Sequence, residues 1–267
     1  MSHVEGVRVG EVEISVVCEG FAPLDLAEEC PGHEVDWAAE RARHPWAFTG
    51  DAAWPWHVHG FVVRVRSSTI VVDTGLGSFP PYAPWAEQAS GDPWGEVDLD
   101  AVDHVVVTHL HADHAGGTVD PDGAARFPDA RYHAHPADWA HFEEADDAEA
   151  YVARGAMRRL AEEGRVSLEA EDHEIVPGVR VLHTPGHTPG HRSVLVDDAV
   201  LLTGDLLHLP IQATNPSWSS SHDEDPELGA RSRTALLGRA AEAGHLIGVP
   251  HFARPFGHRS GDAWREA

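Results

Sequence analysis

Short β-branched apolar runs, cut by glycine and proline, dominate this chain and predict strands far more often than helices. Over 7–18 the alternation of Val7, Val9, Val12, Ile14 and Val16 predicts a strand or hairpin on a half-exposed sheet. Residues 19–56 break into proline, glycine, charged and aromatic positions and predict a loop-rich arm with one helical turn series over 35–43. Apolar runs at 61–65 and 69–72, separated by Arg66-Ser67-Ser68, predict a hairpin ending at Asp73-Thr74-Gly75. A surface loop over 78–95 precedes a buried parallel strand over 104–108, built on Val105-Val106-Val107.

Beyond Pro128 the pattern predicts a strand over 130–134, helices over 137–144 and 147–163, and a stop at Gly164. Strands follow at 174–176, 179–183, 193–197 and 199–203, then a helix over 229–243 and a last strand over 246–249. Strands followed by helix, twice over, predict two face-to-face sheets with helices outside: a four-layer αββα sandwich in a single domain spanning 1–267.

Composition changes this picture in one respect. The formal net charge is −25, and all 19 basic residues are arginines. Such a surface repels polyanions, so the expected partner is a small-molecule substrate and not nucleic acid. No stretch is apolar and long enough to predict a membrane span, and the first residues lack a basic, then apolar, leader pattern, so a cytoplasmic protein is expected, with a homodimer left open. Cys18 and Cys30 lack zinc-type spacing and read as ordinary small apolar residues.

Chemistry concentrates in Thr108-His-Leu-His-Ala-Asp-His-Ala-Gly-Gly117. His109, His111, Asp113 and His114 crowd six positions where a strand ends. Side chains two apart on an extended segment point the same way, so His109 and His111 can share one ion, while Asp113 and His114, past the turn, face another. Imidazole and carboxylate donors favour zinc or another borderline first-row ion. His187 in Thr-Pro-Gly-His-Thr-Pro-Gly-His, Asp205 in Leu-Leu-Thr-Gly-Asp and His251 after Val249-Pro250 also follow apolar runs, making seven candidate metal donors. His133, His135 and His141 read as surface or supporting residues.

The HxHxDH run at 109–114, the Pro-Gly-His-Thr-Pro-Gly-His run, the Thr-Gly-Asp run and the late histidine together resemble the metallo-β-lactamase superfamily over about 58–258. The resemblance implies a binuclear centre of two divalent ions, zinc foremost, with Fe, Mn or Co as alternatives. His109, His111 and His187 would hold one ion, Asp113, His114 and His251 the other, with Asp205 bridging and a hydroxide between the metals as nucleophile. Asp73 then orients ligands from behind, and His191 is a candidate for the same work. His251 is preferred to His258 because Pro250-His-Phe-Ala-Arg-Pro-Phe-Gly-His258 resembles the ending of the N-acyl homoserine lactonase and methyl-parathion-hydrolase branch.

That branch implies hydrolysis of a lactone, ester or phosphotriester bond in a neutral, partly apolar molecule. Asp113 and His208 are the candidate catalytic residues, His208 as a substrate-orienting or proton-donating group. Trp54, Trp56, Phe79, Tyr82, Trp85 and Trp218 are candidate pocket walls. The HxHxDH form, in place of HxExD, points away from the flavodiiron oxygen reductases. A glyoxalase II-like thioesterase or a β-lactamase would need cations for substrate carboxylates, which the C-terminal region supplies only as Arg254, Arg259 and Arg265. A binding or regulatory protein that kept the fold is the non-enzymatic alternative.

Overall fold

The computed structural model describes residues 6–26, 29–49, 53–77, 87–120, 122–144, 148–261 and 263–267, without the side chains of 148–154. The first sheet is built from β1 (Val7–Val9), β2 (Val12–Asp25), β3 (Ala53–Val65), β4 (Ser68–Val72), β6 (His104–Val106), β7 (Arg131–Ala134) and β8 (Val166–Leu168) in that spatial order, with the short β5 (Glu87–Gln88) pairing β2. The second runs β15-β14-β13-β12-β11-β10-β9, from β9 (His173–Val176), β10 (Val179–His183), β11 (Arg192–Val196), β12 (Val200–Leu202), β13 (Leu246–Gly248), β14 (Phe256–Ser260) and β15 (Ala263–Glu266).

Between the sheets lies a layer of branched side chains: Ile14, Val63, Ile70, Val72 and Val106 from the first meet Val181, Val194, Val200 and Leu202 from the second. The other face of the first sheet packs Val62, Val71, Val105 and Tyr132 against Phe142 of α3 (Pro136–Glu144) and Met157 and Leu160 of α4 (Ala148–Glu162). The second sheet covers its outer face with Leu236, Leu237 and Ala240 of α6 (Pro226–Ala243). The central runs, β11 and β12 among them, are buried on both faces, as the sandwich requires, and the αββα expectation holds.

The arm expected over 19–56 is corrected at both ends. β2 continues to Asp25 and β3 begins at Ala53, paired from Glu13↔Arg64 to Asp25↔Ala53 with a bulge between Cys18 and Gly20. The bulge leaves Glu19 without a partner across the strands, and Gly20 beside it holds a φ of +127° that suits glycine, so a glycine that looks like a breaker serves the strand. Within the arm, α1 (Trp37–Arg43) is capped by the Asp36 carboxylate, which accepts from Ala39 N–H at 3.0 Å. The strand over 246–249 is not the last: β14 and β15 follow it, and β8 was not foreseen. The described end of the expected 78–95 loop holds β5. No helix among the described residues is long and apolar enough to cross a membrane.

Every donor-bearing loop leaves a strand's C-terminal end at one rim: 107–114 after β6, 184–191 after β10, 203–208 after β12 and 249–251 after β13. At the opposite rim lie the turns 66–67, 177–178 and 197–198, where the Arg66 guanidinium donates to Pro177 O at 2.6 Å and to Asp197 at 2.8 Å.

Below the donor loops the backbones approach closely. A Cβ added at Gly117 would stand 2.0 Å from Thr74 O. Gly117→Ala must therefore push apart the 74–77 and 112–118 segments, and a loss of about 2–3 kcal/mol in urea unfolding is expected; a loss below about 0.5 kcal/mol would show that the segments yield freely.

Candidate metal centre

β6 ends at Val106, two residues before Thr108, and the chain turns at His111 into the single-turn helix α2 (Ala112–Ala115), which brings Asp113 and His114 round behind His109. The loops at 187, 205 and 251 close over them, and all seven donors are buried or nearly so. His109 Nε2, His111 Nδ1 and His187 Nε2 converge, at 2.9 Å, 3.2 Å and 3.0 Å from one another. On the other side Asp113 Oδ2 lies 3.2 Å from His114 Nε2 and 3.5 Å from His251 Nε2.

Asp205 belongs to both sets. Its Oδ2 faces His187 at 3.3 Å and His109 at 3.8 Å, while its Oδ1 faces His114 at 3.2 Å and His251 at 2.9 Å. The structure thus gathers two donor groups, His109/His111/His187/Asp205 and Asp113/His114/Asp205/His251. His258 stands apart on β14, exposed, with Nδ1 3.0 Å from His245 O.

The far sides of the rings fix which nitrogen faces inward. Asp73, held at φ +58° after β4, accepts from Thr108 N–H and Oγ1–H and takes His114 Nδ1–H, each at 2.8 Å. With its own hydrogen committed to Asp73, the Thr108 hydroxyl is left to accept from His109 Nδ1 at 3.1 Å. His251 Nδ1–H donates to His57 O at 2.6 Å. His187 Nδ1 faces Asp223 at 3.5 Å, and Asp223 is held by Arg233 at 3.3 Å. In His109, His114 and His251 the outer nitrogen is committed, which turns Nε2 toward the centre, while His111 presents Nδ1.

Protonation follows the same division. Burial, with neighbouring imidazoles, pushes His109 well below the usual histidine range, and burial takes His111 down to about 3 and His187 to about 4, so these three are neutral. Burial acts the same way on His114 and His251, but the carboxylates around them outweigh it: Asp113, Asp205 and Asp73 for His114, Asp205 and Asp113 for His251. Both imidazoles are raised. Burial likewise acts to raise Asp113 and Asp205, yet the facing imidazoles hold both carboxyls low.

The donor set fits metal ions. His114 Nε2, His251 Nε2 and Asp205 Oδ1 are buried without a hydrogen-bond partner, an arrangement that is expensive unless a cation takes the lone pairs. Nitrogens around a tetrahedral zinc stand about 3.3 Å apart, close to the spacing of the three imidazoles.

Of the supporting residues, His191 is fully buried, accepting from Asp205 N–H at 2.9 Å while its Nδ1 meets Thr184 O at 3.0 Å. His208 Nε2 lies 3.1 Å from Asp205 Oδ2. Trp54 sets its edge against His208 and His251, each at 6.4 Å, and Trp56 lies 5.4 Å from His251. Trp218 stacks on His33 and packs with the Leu209, Ile211 and Trp54 cluster. Phe79, Tyr82 and Trp85 fall outside the described residues. His133 bonds Glu169 and His104, His135 stacks on His183, and His141 pairs with Glu224; none joins either donor group.

Four supporting carboxylates and amides escape sequence reasoning. Asp138 on α3 accepts from Leu110 N–H, Thr188 Oγ1–H and Gly190 N–H, at 3.1, 3.0 and 2.5 Å, and ties the 107–114 loop to the 184–191 loop. Glu19, which burial pushes up to about 7, accepts from Leu76 N–H at 2.8 Å and Gly77 N–H at 3.0 Å, fixing the turn after Asp73. Asp223 backs His187, and Gln212 accepts from His208 N–H at 2.8 Å.

Two sheets face to face, helices on both outer faces and a buried His/Asp donor set at one rim define a metal-binding αββα sandwich. The chain belongs to the metallo-β-lactamase superfamily, whose sequence profile matches residues 53–250. It is similar to an N-acyl homoserine lactonase from Bacillus sp, 38% identical over 134 residues, covering 49% of this chain and 48% of the relative. A Bacillus cereus N-acyl homoserine lactonase is 33% identical over 133 residues, 50% of this chain and 46% of that one. A hydroxyacylglutathione hydrolase from Acidiphilium cryptum (strain JF-5) is 38% identical over 106 residues, 40% and 35% of the two chains. The chain thus spans about half the length of the curated lactonases it matches. Among solved structures, AidC, a dizinc quorum-quenching lactonase in complex with a product, shares the fold at TM-score 0.81, 18% identity and 98% and 96% coverage. The hydrolase AbOPH shares it at TM-score 0.80, 21% identity and the same coverage.

Proposed function

We propose that this chain is a binuclear metal-dependent hydrolase that opens the ester bond of a lactone of the N-acyl homoserine type, or of a related neutral, partly apolar ester or phosphotriester. The observation that carries the reading is Asp205, whose two oxygens each serve a different donor group, so that one carboxylate joins two metal positions. His109, His111 and His187 would hold one ion and Asp113, His114 and His251 the other. When bound, two divalent cations, zinc foremost, supply Lewis acidity at the scissile carbonyl or phosphoryl oxygen and bring a water to nucleophilic strength near neutral pH.

The protein's own groups do the rest. Asp113 is the more solvent-accessible of the two central carboxylates, at 11% against 5% for Asp205, and is placed to accept a proton from the attacking water. His208 reaches the centre beside Asp205, and its Nδ1 is buried without a hydrogen-bond partner. It is placed to orient the substrate or to hand a proton to the leaving oxygen, which in a lactone remains tethered to the product. Trp54 and Trp56, with Leu209, Ile211, Trp37 and Phe48, give an apolar wall suited to an acyl chain. The relatives named as N-acyl homoserine lactonases support the substrate class. A carboxylate-bearing substrate finds little free cation at the C-terminal end: Arg254 is paired with Glu266, and Arg259 donates to Ala213 O at 2.7 Å.

His208→Ala is expected to lower kcat on a lactone by about a hundredfold with metal content unchanged. Elemental analysis beside the kinetics decides: loss of metal from the variant would make His208 a ligand, and an unchanged kcat would remove it from the reaction.

A further inference from the structure

We infer that Cys18, His57 and His59 form a further metal site, separate from the seven-donor centre and suited to zinc. Cys18 on β2 is paired directly with His59 on β3, and His57 stands two residues earlier on the same strand, so the pleat sends all three side chains to one face of the sheet. Cys18 Sγ is 3.8 Å from His57 Nδ1, the two imidazole centroids are 5.2 Å apart, and the three ligand atoms lie within 4.8 Å of one another. Sulfur and nitrogen around a tetrahedral zinc stand about 3.6 Å apart, so a shift of a few tenths of an ångström brings sulfur and nitrogen into coordination distance.

The pointer to a ligand is His59. Its side chain is buried, at 1% exposure, and neither ring nitrogen has a hydrogen-bond partner. A neutral imidazole always carries one N–H and one lone pair, and here both are stranded in the interior. A cation beside Cys18 takes up the lone pair.

The surroundings favour a positive guest. The carboxylates of Glu19 and Glu87 lie close enough to act on the Cys18 thiol, which burial first, and then these charges against the opposing bond to Gly20 O, push up to about 11. Coordination therefore exchanges the thiol proton, released to solvent, for the metal, and the thiolate selects a soft or borderline ion over magnesium or calcium. Access is open: a cavity of about 600 Å³, lined by Cys18, His57, Glu87 and Asp92 among others, leaves room for a water as fourth ligand. The other histidine group outside the centre, His133 with Glu169 and His173, differs in that His133 already bonds Glu169 and His104, and Arg192 stands 3.8 Å from Glu169.

The site meets the main centre at His57. His57 O accepts the 2.6 Å bond that orients His251, so an ion on His57 stiffens the strand that aims one of the seven donors.

Cobalt(II) tests this directly. None of the seven donors of the main centre is sulfur, so a thiolate-to-cobalt charge-transfer band in the near ultraviolet reports Cys18 alone, whether or not the hydrolase reading stands. The cobalt-saturated parent is expected to show that band, Cys30→Ser to keep it, and Cys18→Ser and His59→Gln to lose it, with zinc content falling by about one ion per chain in the last two. A cobalt-saturated parent without the band, or a band that survives Cys18→Ser, would overturn the site.

Discussion

Asp205→Asn and His109→Ala should each lower kcat/KM on a lactone by about a thousandfold or more, the equivalent of roughly 4 kcal/mol of transition-state stabilisation. Asp205→Asn removes the charge that both donor groups share and should deplete metal from both, whereas His109→Ala opens only the group with His111 and His187. The contrast is measurable by elemental analysis on the same samples. Variants that remain folded by circular dichroism and hydrolyse a panel of lactones and aryl esters at the parental rate would rule out the proposed chemistry.

The second large effect is on stability. Asp138→Ala removes an acceptor from three donors in buried residues, Leu110 N–H, Thr188 Oγ1–H and Gly190 N–H. Each stranded donor costs about 1–3 kcal/mol, so urea unfolding should show a loss of about 3–9 kcal/mol. Because these donors belong to the loops carrying His109, His111 and His187, metal retention should weaken with it. Asp138→Asn, which keeps one carbonyl oxygen, should lose less. Equal stability for Asp138→Ala and the parent would mean that the loops are held by their strands alone.

How much of this was legible beforehand divides along physical lines. Strands buried along their whole length, such as β11 and β12, announce themselves through runs of valine and leucine, and β10, with Arg180 exposed, alternates and matches the predicted 179–183. β2 hid its second half because Gly20 and Pro23 read as breakers; the twelve-residue partnership with β3, in which Pro23 faces Pro55, overrides them. β14, Phe-Gly-His-Arg-Ser, lacks alternation because only its first two residues are buried. The donor positions could be read because each sits in a short local run. Asp138, Asp223 and Glu19 could not: their acceptor roles depend on donors 28, 36 and 57 or more positions away, and nothing nearby marks them.

The rim carrying the turns 66–67, 177–178 and 197–198 faces away from all donor loops. Arg66 fastens those hairpins together at the surface, so that end is a seam set apart from the donors. Lineages of such a chain are free to lengthen, fuse or decorate it there while leaving the reactive mouth alone, and a tether to a bead or a partner enzyme is best anchored at the same seam.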